Sequence, residues 1–130
     1  MANARRSAQL IAVVDDDPLI REAVEGLLRS IDYEAATFAS AEEYLASERR
    51  REVNCIVTDI QMHGRSGLEL QAMVSAEPNS PSIIFLTGLP PEDPRRRAAK
   101  AQSPYCLAKP VAPDELVRCI EKALADAGRR

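Results

Sequence analysis

The sequence predicts an α/β domain in which one parallel five-stranded sheet carries helices on both faces. Two observations predict it. Short apolar runs of strand length alternate along the chain with segments of helical periodicity. Four of those runs, Ile11–Val14, Cys55–Val57, Ile83–Leu86 and Tyr105–Ala108, stop on residues able to do chemistry: Asp15-Asp16-Asp17, Thr58-Asp59, Thr87 and Lys109. Residues that end parallel strands of one sheet converge on one edge, where open α/β folds place their sites.

The first strand, Ile11–Val14, leads into a helix capped by Asp17, with Pro18 in its first turn. Ile20, Ala23, Val24, Leu27, Leu28 and Ile31 recur there at helical spacing and form one apolar stripe. A weaker second strand is read at Tyr33–Phe38. Ser40-Ala-Glu-Glu43 then has capping-box spacing and opens a helix toward Arg49, with the charge run Glu48–Glu52 at its end. Val53–Thr58 is the third strand and Asp59–Arg65 a loop. Ser66-Gly-Leu-Glu69 is a second capping box, whose helix ends before Pro78. Ser82–Leu86 is the fourth strand, and Pro90-Pro-Glu-Asp-Pro94 forces a stiff turn before a short helix, Arg95 to Gln102. That helix offers only Ala98, Ala99 and Ala101 for burial, so it is expected to be loosely held. Strand five is Tyr105–Ala108. After Lys109-Pro110 the last helix carries Leu116, Val117, Ile120, Ala123 and Leu124 on one face, and Gly128 stops it.

A chain of 130 residues is expected to be one domain over 1–130, its core at 9–127, with no repeat and no further output domain. A net charge of −3 argues against nucleic-acid binding by overall charge. No apolar stretch approaches the ~18 residues of a membrane span. Met1–Gln9 lacks the apolar core of a secretory signal, so a cytoplasmic location is expected. Cys55, Cys106 and Cys119 show no metal-ligand spacing and are odd in number, so they read as reduced residues that serve packing.

In a flavodoxin-like (βα)5 three-layer sandwich with sheet order 2-1-3-4-5, strands 1 and 3 end side by side where the winding reverses. Asp15, Asp16 and Asp59 then crowd one cleft. Like charges that close raise one another's pKa unless something neutralises them, and hard oxygen ligands with positions open to water suit Mg2+. Lys109 offsets the charge that remains and lets an anion approach. A carboxylate nucleophile, a cation, a hydroxyl and a lysine are what in-line phosphoryl transfer to an aspartate requires. Asp59 stands alone at its strand end and is read as the nucleophile, with Asp15 and Asp16 paired for the metal.

Val13-Val-Asp-Asp16, Thr58-Asp-Ile-Gln-Met62 with Ser66-Gly-Leu-Glu69, Leu86-Thr87-Gly88 and Lys109-Pro110 together resemble the receiver domain of two-component response regulators, over roughly Gln9 to Ala127. The resemblance implies that Asp59 accepts a phosphoryl group from the phosphohistidine of a sensor histidine kinase or phosphotransfer protein. It implies that Asp16 binds Mg2+ directly, Asp15 acts largely through water, and Asp59 and the Gln61 backbone carbonyl are further ligands. Thr87 would hydrogen-bond a phosphoryl oxygen, Lys109 would pair with it, and Lys109-Pro110 would be a cis peptide. Such a domain is a signalling module that catalyses its own phosphorylation and dephosphorylation, rather than an enzyme. In the family, helix 4, strand 5 and helix 5 form the face that binds dimer partners or targets. Arg95-Arg-Arg97 is therefore an interface candidate, although a solvated charged face is the plainer reading.

Three positions depart from the family pattern. Cys106 stands where an aromatic residue is usual, and Tyr105 next to it faces the other side of its strand. His63 replaces a usual proline and Val111 a usual aromatic; neither is expected to touch the chemistry. Two other functions fit parts of the pattern. A haloacid-dehalogenase-like phosphatase matches the D-x-D of Asp15 and Asp17, but not Leu19, and the only downstream acidic pair is Asp114-Glu115. A receiver fold that binds partners without phosphorylation is suggested by Cys106.

Overall fold

In the computed structural model, which describes residues 9–127, the apolar run Leu10–Val14 forms β1 with every residue buried, as a strand covered on both faces must be. It pairs with β2 (Glu34–Phe38) on one side and β3 (Cys55–Asp59) on the other. β3 pairs with β4 (Ser82–Thr87), and β4 with β5 (Cys106–Ala108). All pairs are parallel, so the sheet has the expected order β2-β1-β3-β4-β5. Its register sets Val14 beside Thr58 and Asp59 beside Leu86, which brings β1, β3 and β4 to an end at one edge.

Alternation along the strands divides their side chains between two cores. On one face Ile11, Val13, Val57 and Ile84 pack under α1 (Pro18–Ser30) and α5 (Pro113–Ala127), meeting Val24, Leu28, Leu116 and Ile120. On the other, Ala12, Val14, Ile56 and Phe85 pack under α2 (Ala41–Ala46), α3 (Gly67–Ser75) and α4 (Pro94–Gln102) through Tyr44, Leu70, Val74 and Ala99. Asp17 caps α1 as expected, its side chain accepting from the Leu19 N–H at 2.9 Å. Ser66 and Glu69 close both halves of their capping box at the start of α3. Ala99 is the one residue of α4 that is fully buried, which agrees with a loosely held helix.

Several boundaries differ from expectation for local reasons. α2 stops at Ala46 instead of running toward Arg49, because Ser47 is extended and its hydroxyl accepts from the Arg49 N–H to start a separate 3-10 turn, Glu48–Glu52. That turn buries no residue, so nothing in its packing favours continuing the helix. At Ser40 the structure shows one half of a capping box, the hydroxyl accepting from the Glu43 N–H at 3.0 Å. β5 begins at Cys106, although the Tyr105 carbonyl still accepts from the Phe85 N–H at 2.8 Å. β2 and β5 are partly exposed edges, which accounts for the weak apolar signal at Tyr33–Phe38. The Lys109-Pro110 peptide is cis, as the resemblance implies. Gly128 lies outside the described residues. Among the described residues no helix is long and apolar enough to cross a membrane.

Candidate functional site

Asp15 follows β1 directly and is held at the sheet edge by its own N–H, which donates to the Phe38 carbonyl of the neighbouring strand at 3.1 Å. Only 2% of the residue is exposed. Its Oδ1 accepts from the Asp17 N–H at 2.9 Å and its Oδ2 from Lys109 Nζ at 3.0 Å. The same ammonium donates to Asp59 Oδ2 at 2.7 Å, while Asp59 Oδ1 accepts from the Gln61 N–H at 3.1 Å. One lysine beyond β5 thus joins carboxylates from β1 and β3. Burial pushes the Asp15 carboxyl above the usual range, against the opposing pull of the Asp17 N–H and Lys109. Burial also acts to lower the Lys109 pKa, but its hydrogen bonds to Asp59 and Asp15 outweigh that and hold the ammonium above its ordinary value.

Lys109→Ala leaves the inaccessible Asp15 carboxylate facing Asp59 with its cation gone, so stability at neutral pH should fall by about 3 kcal/mol. Adding Asp15→Asn should recover part of that loss. Urea denaturation of wild type, both single variants and the double variant checks this, and strictly additive losses would show that the two groups are not coupled.

Asp16 is turned away from the lysine. Its Oδ2 accepts from the His63 backbone N–H at 3.2 Å and lies 2.9 Å from His63 Nδ1. His63, expected to stand clear of the chemistry, therefore touches one of the paired acids, because the loop after β3 folds back over the end of β1. The sequence carried a signal for this: the usual proline has no N–H to donate, whereas histidine brings a backbone donor and a ring. The far end of the loop is tied to α2, where Glu42 Oε2 accepts from the Arg65 N–H at 3.1 Å. Arg21 of α1 is a second residue the sequence did not single out; its Nη1 donates to the Asp15 carbonyl at 2.7 Å.

Thr87 is fully buried at the end of β4. Its Oγ1 accepts from the Leu89 N–H at 3.0 Å, and its carbonyl accepts from the Lys109 N–H at 2.8 Å. The Leu89 carbonyl in turn accepts from Arg96 Nη1 of α4 at 2.7 Å. A polar chain therefore runs from Thr87 through one loop to α4. Burial raises the Cys106 thiol pKa despite Arg96 and Lys100, and burial likewise raises those of Cys55 and Cys119. Protonated thiols of this kind match the packing role read from the sequence. Val111 packs against the α1/α5 core. Arg95 folds onto Asp93, the cap of α4, at 2.9 Å, while Arg97 is exposed.

The structure thus gathers Asp15, Asp59 and Lys109 at one point, with Asp16, Gln61 and Thr87 around it. Carboxylates and the Gln61 carbonyl are donors of the kind a hard divalent cation takes. Among the described residues, no three His, Cys, Asp or Glu side chains stand close enough together to hold a metal ion as placed.

A family profile described as the response regulator receiver domain matches residues 11–121. The chain belongs to this family. The receiver domain is 32% identical over 119 residues to the transcriptional regulatory protein TdiR of Thauera aromatica, covering 92% of this chain and 52% of that protein. It is also 32% identical over 117 residues to the response regulator protein TodT of Pseudomonas putida, covering 90% and 52% respectively. Among solved structures, the response regulator StyR superposes with a TM-score of 0.83 at 35% identity, covering 95% of this chain and 62% of that one. A receiver domain protein from Clostridium thermocellum superposes at 0.80 with 26% identity, covering 91% and 95%. This receiver domain spans about half the length of the curated relatives it matches. Membership in a signalling family favours the receiver reading over both the phosphatase and the unphosphorylated binding module.

Proposed function

We propose that Asp59 is the acceptor of this receiver domain, taking a phosphoryl group from the phosphohistidine of a sensor histidine kinase or phosphotransfer protein. The observation that carries the reading is the single ammonium of Lys109, held by Asp59 at 2.7 Å and Asp15 at 3.0 Å where β1, β3 and β5 end. An Asp59 carboxylate oxygen attacks phosphorus in line, the phosphorus–nitrogen bond to the donor breaks, and the donor imidazole leaves with its electron pair. Lys109 already touches Asp59 and pairs with the charge that arrives there. The Thr87 hydroxyl, bonded to the Leu89 N–H as acceptor, keeps its own proton to donate to a phosphoryl oxygen. Asp16, with Asp15 through water and the Gln61 carbonyl, would hold Mg2+, which supplies neutralising charge when bound. The same groups promote attack by water on the acyl phosphate, so that the domain catalyses both gain and loss of its phosphoryl group.

Drawing Thr87 toward the phosphoryl group pulls on the loop that Arg96 fastens to α4, a helix anchored by one fully buried alanine. The face of α4, β5 and α5 is accordingly the one that switches, and it would take a second copy of the chain or a target protein. On this reading the chain acts as a receiver module in the cytoplasm.

The test is to incubate wild type with Mg2+ and acetyl phosphate and follow intact mass. One phosphoryl adduct is expected, labile in acid and base, lost on chelation of Mg2+ before labelling, and mapped by peptide analysis to Asp59. No adduct, or an adduct on another residue, would overturn the proposal.

A further inference from the structure

Histidine at position 63 gives this site a nitrogen donor that an oxygen-only cluster lacks. Nδ1 lies 2.9 Å from Asp16 Oδ2. Neighbouring ligands of one six-coordinate cation, each bonded at about 2.1 Å, are separated by roughly that distance. The ring is reachable from solvent, its side chain 99% exposed, while the Asp16 side chain beside it is 31% exposed. The loop also fixes the ring's root, since the His63 backbone N–H donates to the same carboxylate oxygen at 3.2 Å. At this distance Nδ1 donates to that oxygen when it carries the ring proton; in the tautomer protonated on Nε2, Nδ1 offers its lone pair to a cation shared with that oxygen.

We infer that His63 and Asp16 form a two-donor nitrogen–oxygen pair that shifts the cation preference of the site toward imidazole-binding divalent ions such as Ni2+ and Co2+, relative to Mg2+. The inference rests on the proposed role of Asp16 as a metal ligand. Imidazole suits borderline transition-metal ions, whereas Mg2+ prefers oxygen and retains several waters. A pair of protein donors is enough for either ion when water fills the remaining positions. The backbone N–H survives replacement of the ring, so the ring's contribution is separable from that of the loop.

The experiment is calorimetric titration of the untagged chain with Mg2+ and, separately, with Ni2+, for wild type, His63→Ala and Asp16→Asn. A drop of about tenfold in Ni2+ affinity is expected in His63→Ala, since even partners outside the coordination shell are worth that much. Mg2+ affinity should change less than about twofold, and Asp16→Asn should weaken both ions. The chain has one histidine, so its ring C–H resonances give an independent readout. Ni2+ should broaden them in wild type and leave them sharp in Asp16→Asn. A ratio of Ni2+ to Mg2+ affinity that falls less than about threefold in His63→Ala would overturn the inference, as would sharp ring resonances in wild type with Ni2+ bound. If wild type binds Mg2+ and gains the phosphoryl adduct while that ratio stays put, this inference alone fails. If wild type binds neither ion, both it and the proposed metal site fail.

Discussion

Asp59→Asn is expected to take up phosphoryl groups from acetyl phosphate at least 100-fold less than wild type, an order-of-magnitude figure that follows from replacing a carboxylate nucleophile by a neutral amide. Asp59 Oδ2, the oxygen on Lys109, is lost as a charged acceptor in this variant. The contact that shapes the following loop, from the Gln61 N–H to Oδ1, can be kept by the amide oxygen. Lys109 also keeps its second partner, Asp15. Stability should therefore stay within about 1 kcal/mol of wild type, so lost labelling reports on chemistry rather than unfolding. Asp16→Asn is the informative contrast, because it retains the nucleophile. Its adduct should form slowly, with a raised requirement for Mg2+. Intact mass against time for the three proteins, alongside thermal denaturation, separates the roles. Labelling of Asp59→Asn at the wild-type rate would place the acceptor elsewhere.

What could be read from the sequence depended on whether a feature leaves a local pattern. β1 and β4 are covered on both faces, so all their residues are buried and their apolar stretches, Leu10–Val14 and Ile83–Leu86, are legible as continuous runs. α1 and α5 each bury one stripe, and the stripes fix their faces. The edge strands β2 and β5 are half-covered and correspondingly indistinct. Asp15, Asp59, Thr87 and Lys109 could be gathered in advance because each ends or directly follows a strand, and parallel strands place such positions together. The contacts of His63 with Asp16 and Arg96 with Leu89 follow another rule. They depend on how far a loop folds back or how far a long side chain reaches, and no periodicity encodes either. The early end of α2 has the same character, because a single hydroxyl, that of Ser47, redirects the backbone.

Gly67→Ala should lower stability by about 3 kcal/mol, an amount at the upper end of ordinary single substitutions, and Tm by about 12 °C for a domain of this size. The cause is steric. A Cβ on Gly67 would lie 2.1 Å from the Asp59 carbonyl oxygen, 3.0 Å from its carbon and 3.1 Å from Ile60 Cα. All three are backbone atoms, so no side chain can rotate out of the way. The approach is also fastened, because the Gly67 N–H donates to the Ile60 carbonyl at 2.9 Å. β3 lies inside the sheet, with Asp59 in register with Leu86 of β4, and resists displacement. The start of α3 must therefore move, loosening the loop that leads from Asp59 to the capping box at Ser66. Phosphoryl uptake should slow with it. Other glycines supply internal controls. Gly26 lies in α1 with nothing within 4 Å of an added Cβ, so Gly26→Ala should stabilise by up to about 1 kcal/mol and label like wild type. At Gly64, with φ of 79° and the Glu42 carboxylate 3.1 Å away, alanine should cost roughly 1 kcal/mol. Thermal denaturation of the three variants gives the order directly, and a loss at Gly67 no larger than that at Gly64 would show that α3 is not pressed against β3.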